Sequence, residues 1–538
     1  MTAANTLHAT LAIPPRPAHN EELLLPIRKR RGVALTPFTE HFDVVIIGAG
    51  LSGIGAGYRL QTRCPRKSYV ILEARAEIGG TWDLFRYPGV RSDSDMHTLG
   101  YPFRPWKEVQ HIGDGPSILQ YVRDTAREFG IDRHIRFRQR ALSASWSPED
   151  AGWIVEAKSD ETCETIRYSC DFLYGCTGYY RYDAGYEPAF PGAERFRGRV
   201  VHPQHWPEDL DYAGKKVVVI GSGATAVTLV PAMSHTAEHV TMLQRSPTYV
   251  MTLPQNDSLA DLIRRVLPQR TALRLVRWKN ILISLGIYQL SRLAPDRMRR
   301  MLRDGAAKVL PQGYEVDKHF NPRYRPWDQR LCLVPDSDLF KAITAGRASV
   351  VTDEIETFTE RGVRLKSGDA LEADIIVSAT GLQMLALGAV QLNVDGEAVV
   401  PGRHFIYKGT MLSNVPNFAF CIGYTNASWT LRADLASTYV CRVLNHMDRH
   451  SYRTCKPACD PSRLEARPLL NLNSGYVRRA AADLPKQAAT APWLIRQNYL
   501  RDMLTMKISR LEDGILQFGT AAAVARADVR EEVRAVGD

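Results

Sequence analysis

The sequence lacks the cysteine spacings and the long apolar runs that mark metal-binding, disulfide-bonded or membrane-spanning proteins. Its nine cysteines include no CxxC pair, and no cluster of histidines accompanies them. Neither a zinc site nor a disulfide framework is therefore predicted, and a cytoplasmic protein without a bound metal is expected. The nearest approach to a spanning segment, Ile281–Leu290, falls well short of the roughly 20 apolar residues that cross a bilayer.

Residues 1–40 have no acidic side chain before Glu21 and no apolar stretch long enough for the core of a signal peptide. Pro14, Pro15 and Pro17 and the basic run Arg28–Arg31 favour a disordered extension over an amphipathic targeting segment. Residues 520–538, rich in alanine and charge, are predicted to form a C-terminal tail. A chain of 538 residues leaves ample length between them for two to four domains.

The formal charge is unbalanced at +11. A basic excess is typical of proteins that bind nucleic acid, membrane surfaces or anionic cofactors. No nucleic-acid-binding module is recognisable, so no nucleic-acid partner is predicted. Many of the cations fall in a helical pattern over residues 258–308. That pattern favours an ordinary packed helical subdomain, with weak association to a membrane surface as the alternative.

A strand, a glycine-rich turn and a helix open the folded part of the chain. The β-branched run His41–Ile47 leads into Gly48-Ala49-Gly50-Leu51-Ser52-Gly53, a GxGxxG turn that lets a pyrophosphate approach a helix N-terminus. The next predicted strand, Ser68–Leu72, ends at Glu73, where a carboxylate can bind a ribose hydroxyl. Because an acid repels a 2′-phosphate, FAD or NAD fits this site. Its candidate cofactor-binding residues are Gly48, Gly50, Ser52, Gly53 and Glu73.

A second unit of the same design begins at Lys215. Val217–Ile220 predicts a strand, and a GxGxxA turn follows it. After the next strand, His239–Leu243, Arg245 and Ser246 stand where an acid would bind a ribose hydroxyl. A cation and a hydroxyl suit a 2′-phosphate, so this site is predicted to bind NADP, although Arg245 could also be merely exposed. The candidate residues are Gly221, Ser222, Gly223, Ala224, Thr225, Ala226, Arg245 and Ser246.

The two sites together indicate electron transfer between a nicotinamide and a flavin. Disulfide reductases and flavin monooxygenases both do this, but residues 79–89 lack the cysteine pair of a common disulfide reductase. Reduced flavin is therefore expected to react with O2. We predict an α/β fold with two Rossmann-like domains, the second inserted into the first, and a helical subdomain. The predicted boundaries are 41–180 and 377–519 for the FAD-binding domain, 181–257 and 309–376 for the NADP-binding domain, and 258–308 for the helical subdomain.

Two longer motifs resemble those of a known family. Gly79-Gly80-Thr81-Trp82, Tyr87-Pro88-Gly89 and Asp93 are similar to the flavin-side signature of type I Baeyer–Villiger monooxygenases. Phe196, Gly198, His202, Trp206 and Pro207 stand in the spacing FxGxxxHxxxWP, which separates those enzymes from the related flavin-containing monooxygenases. Further segments, including RSDSDM, WDQRLCLVP and GYTNASWTL, resemble the subfamily of mycobacterial ethionamide-activating monooxygenases. This resemblance covers about residues 41–515.

The resemblance implies an enzyme that uses FAD, NADPH and O2 to convert ketones to esters or lactones and to oxygenate thioethers, through a flavin peroxide. Arg330 matches the family's active-site arginine, and Asp93 matches the aspartate that orients it. His202 matches a residue that couples the two domains without acid–base work. Residues implied to bind the flavin cofactor are Thr81, Trp82, Asp83, Arg91, Ser92, Asp93 and Ala141.

Two features leave alternatives open. Many Baeyer–Villiger enzymes carry Lys just before the active-site Arg, whereas this chain has Gln329, which leaves the strength of the NADPH preference open. The alternative functions are a flavin-containing monooxygenase limited to sulfur or nitrogen oxidation and a non-catalytic flavoprotein. Trp206 and Arg330 speak against the first, and the set of Arg245, Asp93 and Arg330 against the second. No motif specifies the physiological substrate or the oligomeric state.

Overall fold

The computed structural model of this protein describes residues 39–520. The helices are α1 Leu51–Arg63, α2 Thr81–Leu84, α3 Met96–Leu99, α4 Gly115–Glu128, α5 Ala224–Met233, α6 Ser258–Val266, α7 Gln269–Leu293, α8 Pro295–Ala307, α9 Val316–His319, α10 Asp338–Thr344, α11 Trp429–His450, α12 Gly475–Ala480 and α13 Tyr499–Lys507. The strands of the first half are β1 Thr39–Ile47, β2 Tyr69–Leu72, β3 Ile135–Arg136, β4 Gln139–Ser147, β5 Gly152–Ser159, β6 Thr165–Gly175, β7 Arg199–Val201, β8 Lys216–Ile220, β9 His239–Gln244 and β10 Val250–Leu253. The remaining strands are β11 Cys332–Pro335, β12 Ala348–Thr352, β13 Ile355–Thr359, β14 Gly362–Leu365, β15 Ala370–Glu372, β16 Ile375–Ser378, β17 Gln391–Val394, β18 Glu397–Ala398, β19 Ile406–Tyr407, β20 Met411–Leu412, β21 Phe418–Phe420, β22 Thr454–Pro457, β23 Arg467–Pro468, β24 Lys486–Gln487 and β25 Leu516–Gly519.

The first sheet is built around β1, in the order β18-β17-β4-β5-β6-β1-β2-β3, with β21 added on β6. β1 pairs in parallel with both β2 and β6, so the carboxyl ends of these strands share one edge, where ligands bind in such sheets. Val44, Val45 and Ile46 are fully buried, as expected for a parallel strand covered on both faces. Helix α1 packs against α11.

The second sheet is wholly parallel, in the order β12-β9-β8-β16-β7. All its strands lie between β6 and β21 in the sequence, so this unit is inserted into the first, and the predicted fold class is confirmed. The predicted boundary between residues 376 and 377 falls inside β16. The apolar run Ile375–Ser378 pairs as a whole with β8, so the domain extends to the end of that strand.

The two chain segments that connect the sheets pair with each other along residues 180–186 and 380–384, which we call the paired linkers. Tyr180 and Met384 form an antiparallel bridge. The backbone N–H of Arg181 donates to the carbonyl of Gln383 at 2.9 Å. The linkers therefore behave as one two-stranded tie between the domains.

Helices α6, α7 and α8 occupy the predicted helical segment. Helix α7 is fixed to the first domain through Arg277, whose guanidinium donates to the carbonyls of His97 (2.8 Å) and Gly100 (2.6 Å). Within residues 39–520, no helix combines the length and apolar content needed to cross a bilayer.

The predicted terminal extensions fall almost wholly outside the described residues. Of residues 1–40, the structure describes only Thr39 and Glu40, which already belong to β1. Of residues 520–538, it describes only Thr520.

Candidate active site

A cavity of about 530 Å³ lies where the carboxyl ends of β1 and β6 face helix α5 of the inserted domain. Its volume is typical of a small-molecule site, roughly 300–1,000 Å³. The predicted residues that line it are Gly48, Gly50, Ser52, Glu73, Thr81, Trp82, Arg91, Ser92, Asp93, Ala141, Ala224, Thr225 and Arg330. Those outside its lining are Gly53, Asp83, His202, Gly221, Ser222, Gly223, Ala226, Arg245 and Ser246.

The first glycine turn lines one side of this cavity with exposed main-chain atoms. Gly48 has φ +104°, and a Cβ there would lie 2.7 Å from the carbonyl oxygen of Cys176. A Cβ on Gly53 would lie 1.8 Å from the Gly48 oxygen, so α1 meets β1 with no room for a side chain. At Gly50 a Cβ would meet nothing closer than Gly80, at 3.7 Å. The exposed backbone between these glycines fits a pyrophosphate.

Glu73 follows β2 directly and turns its carboxylate toward the same turn. One oxygen accepts from the Ala49 N–H at 2.7 Å and the other from the Arg75 N–H at 2.9 Å. The residue is 5% exposed, and its burial raises the pKa of the carboxyl. These backbone donors hold the carboxylate at the cavity wall, where it can accept from ribose hydroxyls.

Asp83 lies behind the cavity wall, where it forms ion pairs with arginine side chains. It is 2% exposed and accepts from the guanidinium of Arg75 at 2.5 Å and from that of Arg123 at 3.3 Å. Arg75 lines the cavity, whereas Asp83 does not. Its neighbour in the motif, Thr81, places its hydroxyl 3.1 Å from that of Tyr182.

Arg330 and Asp93 meet in an ion pair of 2.8 Å at the cavity wall. Their side chains are 29% and 36% exposed, and both line the cavity. Burial by itself lowers the pKa of Arg330, but the charge of Asp93 and the hydroxyls of Tyr179 and Tyr180 raise it, and the net pKa lies above the usual range. The guanidinium is therefore a permanent cation that faces the cavity.

The loop that carries Arg330 is held from two sides. Arg292, near the end of α7, donates to the carboxylate of Asp328 at 3.0 Å. The N–H of Asn473 donates to the Asp328 carbonyl at 2.6 Å. Trp327, just before, has φ +69°, a left-handed conformation that non-glycine residues adopt only when surrounding contacts enforce it.

The flavin-side signature also forms the contact with the second domain. Gly89 has φ +75°, and a Cβ there would lie 2.6 Å from the Cβ of Ala232 on α5. Burial raises the pKa of Tyr87 to about 12, against a hydrogen bond with Thr225 that lowers it. Arg91 reaches across to the inserted domain and donates to Asp338 of α10 at 2.5 Å.

The second glycine turn lies beside this cavity and opens to the surface. Gly221 has φ +140°, and a Cβ there would lie 2.3 Å from the carbonyl oxygen of Ala379. A Cβ on Gly223 would meet nothing within 4 Å. The Ser222 hydroxyl donates to the Ser246 carbonyl at 3.1 Å. Arg245 is exposed and makes no hydrogen bond or ion pair with any of residues 39–520, which leaves its guanidinium available to a phosphate.

His202 sits between the paired linkers, away from the cavity lining. Its Nδ1 accepts from the N–H of Gln204 at 3.2 Å, and its Nε2 lies 3.3 Å from the carbonyl of Gly381. Burial lowers the pKa of the imidazole. A Cβ on Gly185 would lie 2.0 Å from the ring. Both ring nitrogens thus contact backbone groups, one at Gln204 and one at Gly381.

Several lining residues carry no sequence-based prediction: Tyr179, Tyr180, His205, Tyr424 and Trp429. The indole N–H of Trp429 donates to the Ser52 hydroxyl at 2.8 Å, and its ring lies 4.9 Å from that of Tyr179. The sequence did contain a signal for Tyr179 and Tyr180. They come directly after Cys176-Thr177-Gly178, which follows β6 just as the similar Ala379-Thr380-Gly381 follows β16. Tyr424 and Trp429 lie in the segment GYTNASWTL, whose resemblance to the subfamily was the signal for them.

Away from the cavity, His446, His450 and Glu512 bring three possible metal ligands within 4.8 Å of one another. The adjoining pocket is also lined by Arg442, Arg449 and Arg510, whose charges oppose a divalent cation. The expectation of no metal stays a prediction.

Comparisons with known proteins agree with this geometry. A family model for flavin-binding monooxygenase-like proteins matches residues 101–272, and one for NAD(P)-binding Rossmann-like domains matches residues 46–112. The FAD-containing monooxygenase EthA of Mycobacterium tuberculosis is 53% identical over 90% of this chain and 99% of its own length. EthA of Mycolicibacterium smegmatis is 53% identical over 89% of this chain and 97% of its own.

Solved structures show the same fold. A steroid monooxygenase in its oxidised form bound to NADP superposes with a TM-score of 0.72 at 22% identity, over 89% of this chain and all of that one. Cyclohexanone monooxygenase in an open form gives a TM-score of 0.65 at 21% identity, over 78% of this chain and 90% of that one.

Proposed function

The chain belongs to the FAD-containing, flavin-binding monooxygenases, in the group that includes EthA, and from this membership we propose that it is an NADPH-dependent Baeyer–Villiger monooxygenase. The subfamily predicted from the sequence motifs is thereby confirmed. The proposed substrates are O2 and ketones, which become esters or lactones, and sulfur compounds such as thioethers, which become sulfoxides.

The observation that carries the proposal is the Arg330–Asp93 ion pair at the wall of the shared cavity. The cavity is lined on one side by the first glycine turn and on the other by Ala224, Thr225 and Thr228 of α5. A permanent cation thus faces the space where a flavin ring and a nicotinamide would meet.

The residues present fit FAD. The first glycine turn leaves room for the pyrophosphate, and Glu73 offers its carboxylate to the ribose. Thr81 and Trp82 line the space beyond them, toward Arg330. When bound, FAD would accept a hydride from NADPH and supply the activated oxygen.

Arg330 would stabilise negative charge that develops on the oxidant and on the substrate oxygen. Removal of one preorganised donor of this kind typically costs about 3–4 kcal/mol. Asp93 would hold the guanidinium in place by a charge-assisted bond. The rings of Tyr179 and Tyr180, 4.5 Å apart, would keep water from the same wall.

NADPH would bind at the second turn. Gly223 leaves open space for the pyrophosphate, while Arg245 and Ser246 are exposed for the 2′-phosphate. Gln329, partly buried next to Arg330, offers an amide instead of a second cation, so the preference for NADPH over NADH would rest on Arg245.

The test is NADPH oxidation by the FAD-loaded protein with a long-chain aliphatic ketone, with the product identified by mass spectrometry. Arg330→Ala is expected to lower ester formation about 10²–10³-fold while NADPH still reduces the flavin. The exposed Arg323 serves as control, and Arg323→Ala should match the wild type.

Each other outcome favours a different function. Sulfoxide from a thioether, without ester from any ketone, would move the protein to the flavin-containing monooxygenases limited to sulfur or nitrogen. Bound FAD without NADPH oxidation would support a non-catalytic flavoprotein.

A further inference from the structure

Helices α6, α7 and α13 expose an apolar surface that the proposed chemistry does not use. Its members, which we call the apolar face, are Leu259, Leu262, Val266, Leu275, Trp278, Leu282, Ile283, Leu504 and Ile508, with exposed fractions from 38% to 70%. They are nine of the fifteen strongly exposed large apolar side chains in the described residues. Single exposed apolar residues are ordinary, but a concentration of them marks a contact surface.

The spacing of these residues places them on continuous helix faces. On α7, Leu275, Trp278 and Leu282 recur at intervals of three and four residues, which aligns them on one side of a helix. Leu259, Leu262 and Val266 repeat that spacing on α6, which packs against α7. The ring of Trp278 lies 6.0 Å from that of Tyr499, the first residue of α13, so the three helices adjoin.

The charge around the apolar face is strongly positive. Residues 258–308 contain twelve Lys and Arg against three Asp, which accounts for most of the net charge of +11. Arg265, Arg270 and Arg274 are exposed between the apolar positions and form no ion pair within residues 39–520. Apolar side chains flanked by unpaired cations are typical of helices that lie in the interface of an anionic bilayer.

Two buried side chains in succession, Ile281 and Tyr424, link α7 to the active-site cavity. Ile281 of α7, 4% exposed, packs against Tyr424 and Leu431. Tyr424 in turn lines the cavity. Tyr424 therefore lies between α7 and the cavity.

We propose that the apolar face docks on the surface of an anionic lipid bilayer. The apolar side chains of α6, α7 and α13 enter the boundary between headgroups and acyl chains. Arg265, Arg270 and Arg274 contact lipid phosphates. Docking in this orientation turns the side of the cavity that Tyr424 lines toward the bilayer, where apolar molecules dissolve. The binding depends on this surface alone and holds whichever oxygenation the enzyme performs.

The experiment is flotation of the FAD-loaded full chain with vesicles of phosphatidylcholine, with or without one part in four of phosphatidylglycerol. Binding is expected only to the anionic vesicles and should fall as salt is added. The triple variant R265Q/R270Q/R274Q should lower the partition coefficient about a hundredfold, since each cation near such a surface contributes about a factor of five. The control R133Q/K158Q/K215Q removes three exposed cations elsewhere and should bind as the wild type does.

A second pair of variants tests how much the apolar side chains contribute to vesicle binding. L282Q/I283Q should lower partition about tenfold, because two exposed aliphatic chains no longer enter the lipid. V200Q/V400Q, which alters two exposed valines outside α6, α7 and α13, should not. The flavin absorbance and melting temperature confirm that each variant is folded.

Three results would overturn the proposal. The first is no flotation with anionic vesicles at low salt, and the second is an equal loss in the control variants. The third is a concentration-dependent dimer in sedimentation without vesicles that L282Q/I283Q abolishes, which would assign the face to a second copy of the chain.

Discussion

At the scale of single residues, the two glycines at the start of the second turn are required for different reasons. Gly221 is needed by the fold, because a side chain there would strike the Ala379 carbonyl at 2.3 Å. Gly223 borders empty space. A side chain there would therefore obstruct a ligand that binds at the turn, but it would not disturb the fold.

The Gly223→Ala variant is therefore expected to fold with the wild-type melting temperature and to retain FAD. Its KM for NADPH should rise at least tenfold, because the added methyl group occupies the approach of the pyrophosphate. Gly221→Ala should instead lose stability by more than about 1 kcal/mol. Stopped-flow reduction of the flavin and thermal melts distinguish the two, and a stable Gly223→Ala with unchanged KM would contradict the assignment.

His202 makes the stability of the folded protein depend on pH, and the direction follows from its lowered pKa. Burial lowers its pKa in the folded protein, whereas the unfolded imidazole titrates near 6.5. As pH falls below about 6.5, the unfolded chain takes up a proton that the folded chain refuses, so stability is lost toward acid. Above that pH both forms are neutral, and the contribution is constant.

The wild type should accordingly lose more melting temperature than His202→Asn when pH is lowered from about 8 to about 5.5. Asparagine can still accept from the Gln204 N–H but does not titrate. The exposed His235 provides the control, and His235→Asn should keep the wild-type dependence. Parallel pH profiles for wild type and His202→Asn would refute the argument.

At the scale of elements, the signature loop at Tyr87–Gly89 is a contact between domains as much as a flavin motif. Gly89→Ala would push a methyl group against Ala232 of α5. Gly130 has a similar φ of +65°, and a Cβ added there would meet nothing within 4 Å. The two substitutions therefore share the backbone strain and differ in the clash.

Gly89→Ala is expected to cost about 1–3 kcal/mol more than Gly130→Ala. It should also weaken NADPH-dependent reduction of the flavin, because α5 carries the second turn. Denaturant unfolding and reduction rates measure both effects. Equal losses in the two variants would mean that the loop and α5 are not tightly packed in solution.

The elements next to the glycine turns were the easiest to predict. The β-branched run Val217–Ile220 and the observed β8, Lys216–Ile220, differ by one residue, because local pattern alone specifies a buried parallel strand. The active-site wall was harder to predict. Trp429 reaches Ser52 across 377 positions of sequence, and such pairings depend on the packing of α11 against α1, which no local pattern encodes.

At the scale of the whole molecule, the two nucleotide domains share one cavity. FAD bound there should stabilise the holoprotein by about 2.7 kcal/mol at a hundredfold excess over its Kd. Gly50→Ala should keep the melting temperature of the apoprotein, because its methyl group meets nothing closer than Gly80, at 3.7 Å. It should lose most of the shift on adding FAD. A full shift in that variant would place the pyrophosphate elsewhere. The cytoplasmic location stays a prediction.

The paired linkers have a mechanical consequence. Two strands tied side by side by the Tyr180–Met384 bridge and the Arg181–Gln383 hydrogen bond resist sliding and separation, but they can twist along their common line. A rotation of the inserted domain about that line, where His202 meets the Gly381 carbonyl, would have to break the Arg91–Asp338 ion pair and separate Gly89 from Ala232 of α5. These two contacts therefore determine how readily the domains open about the linkers.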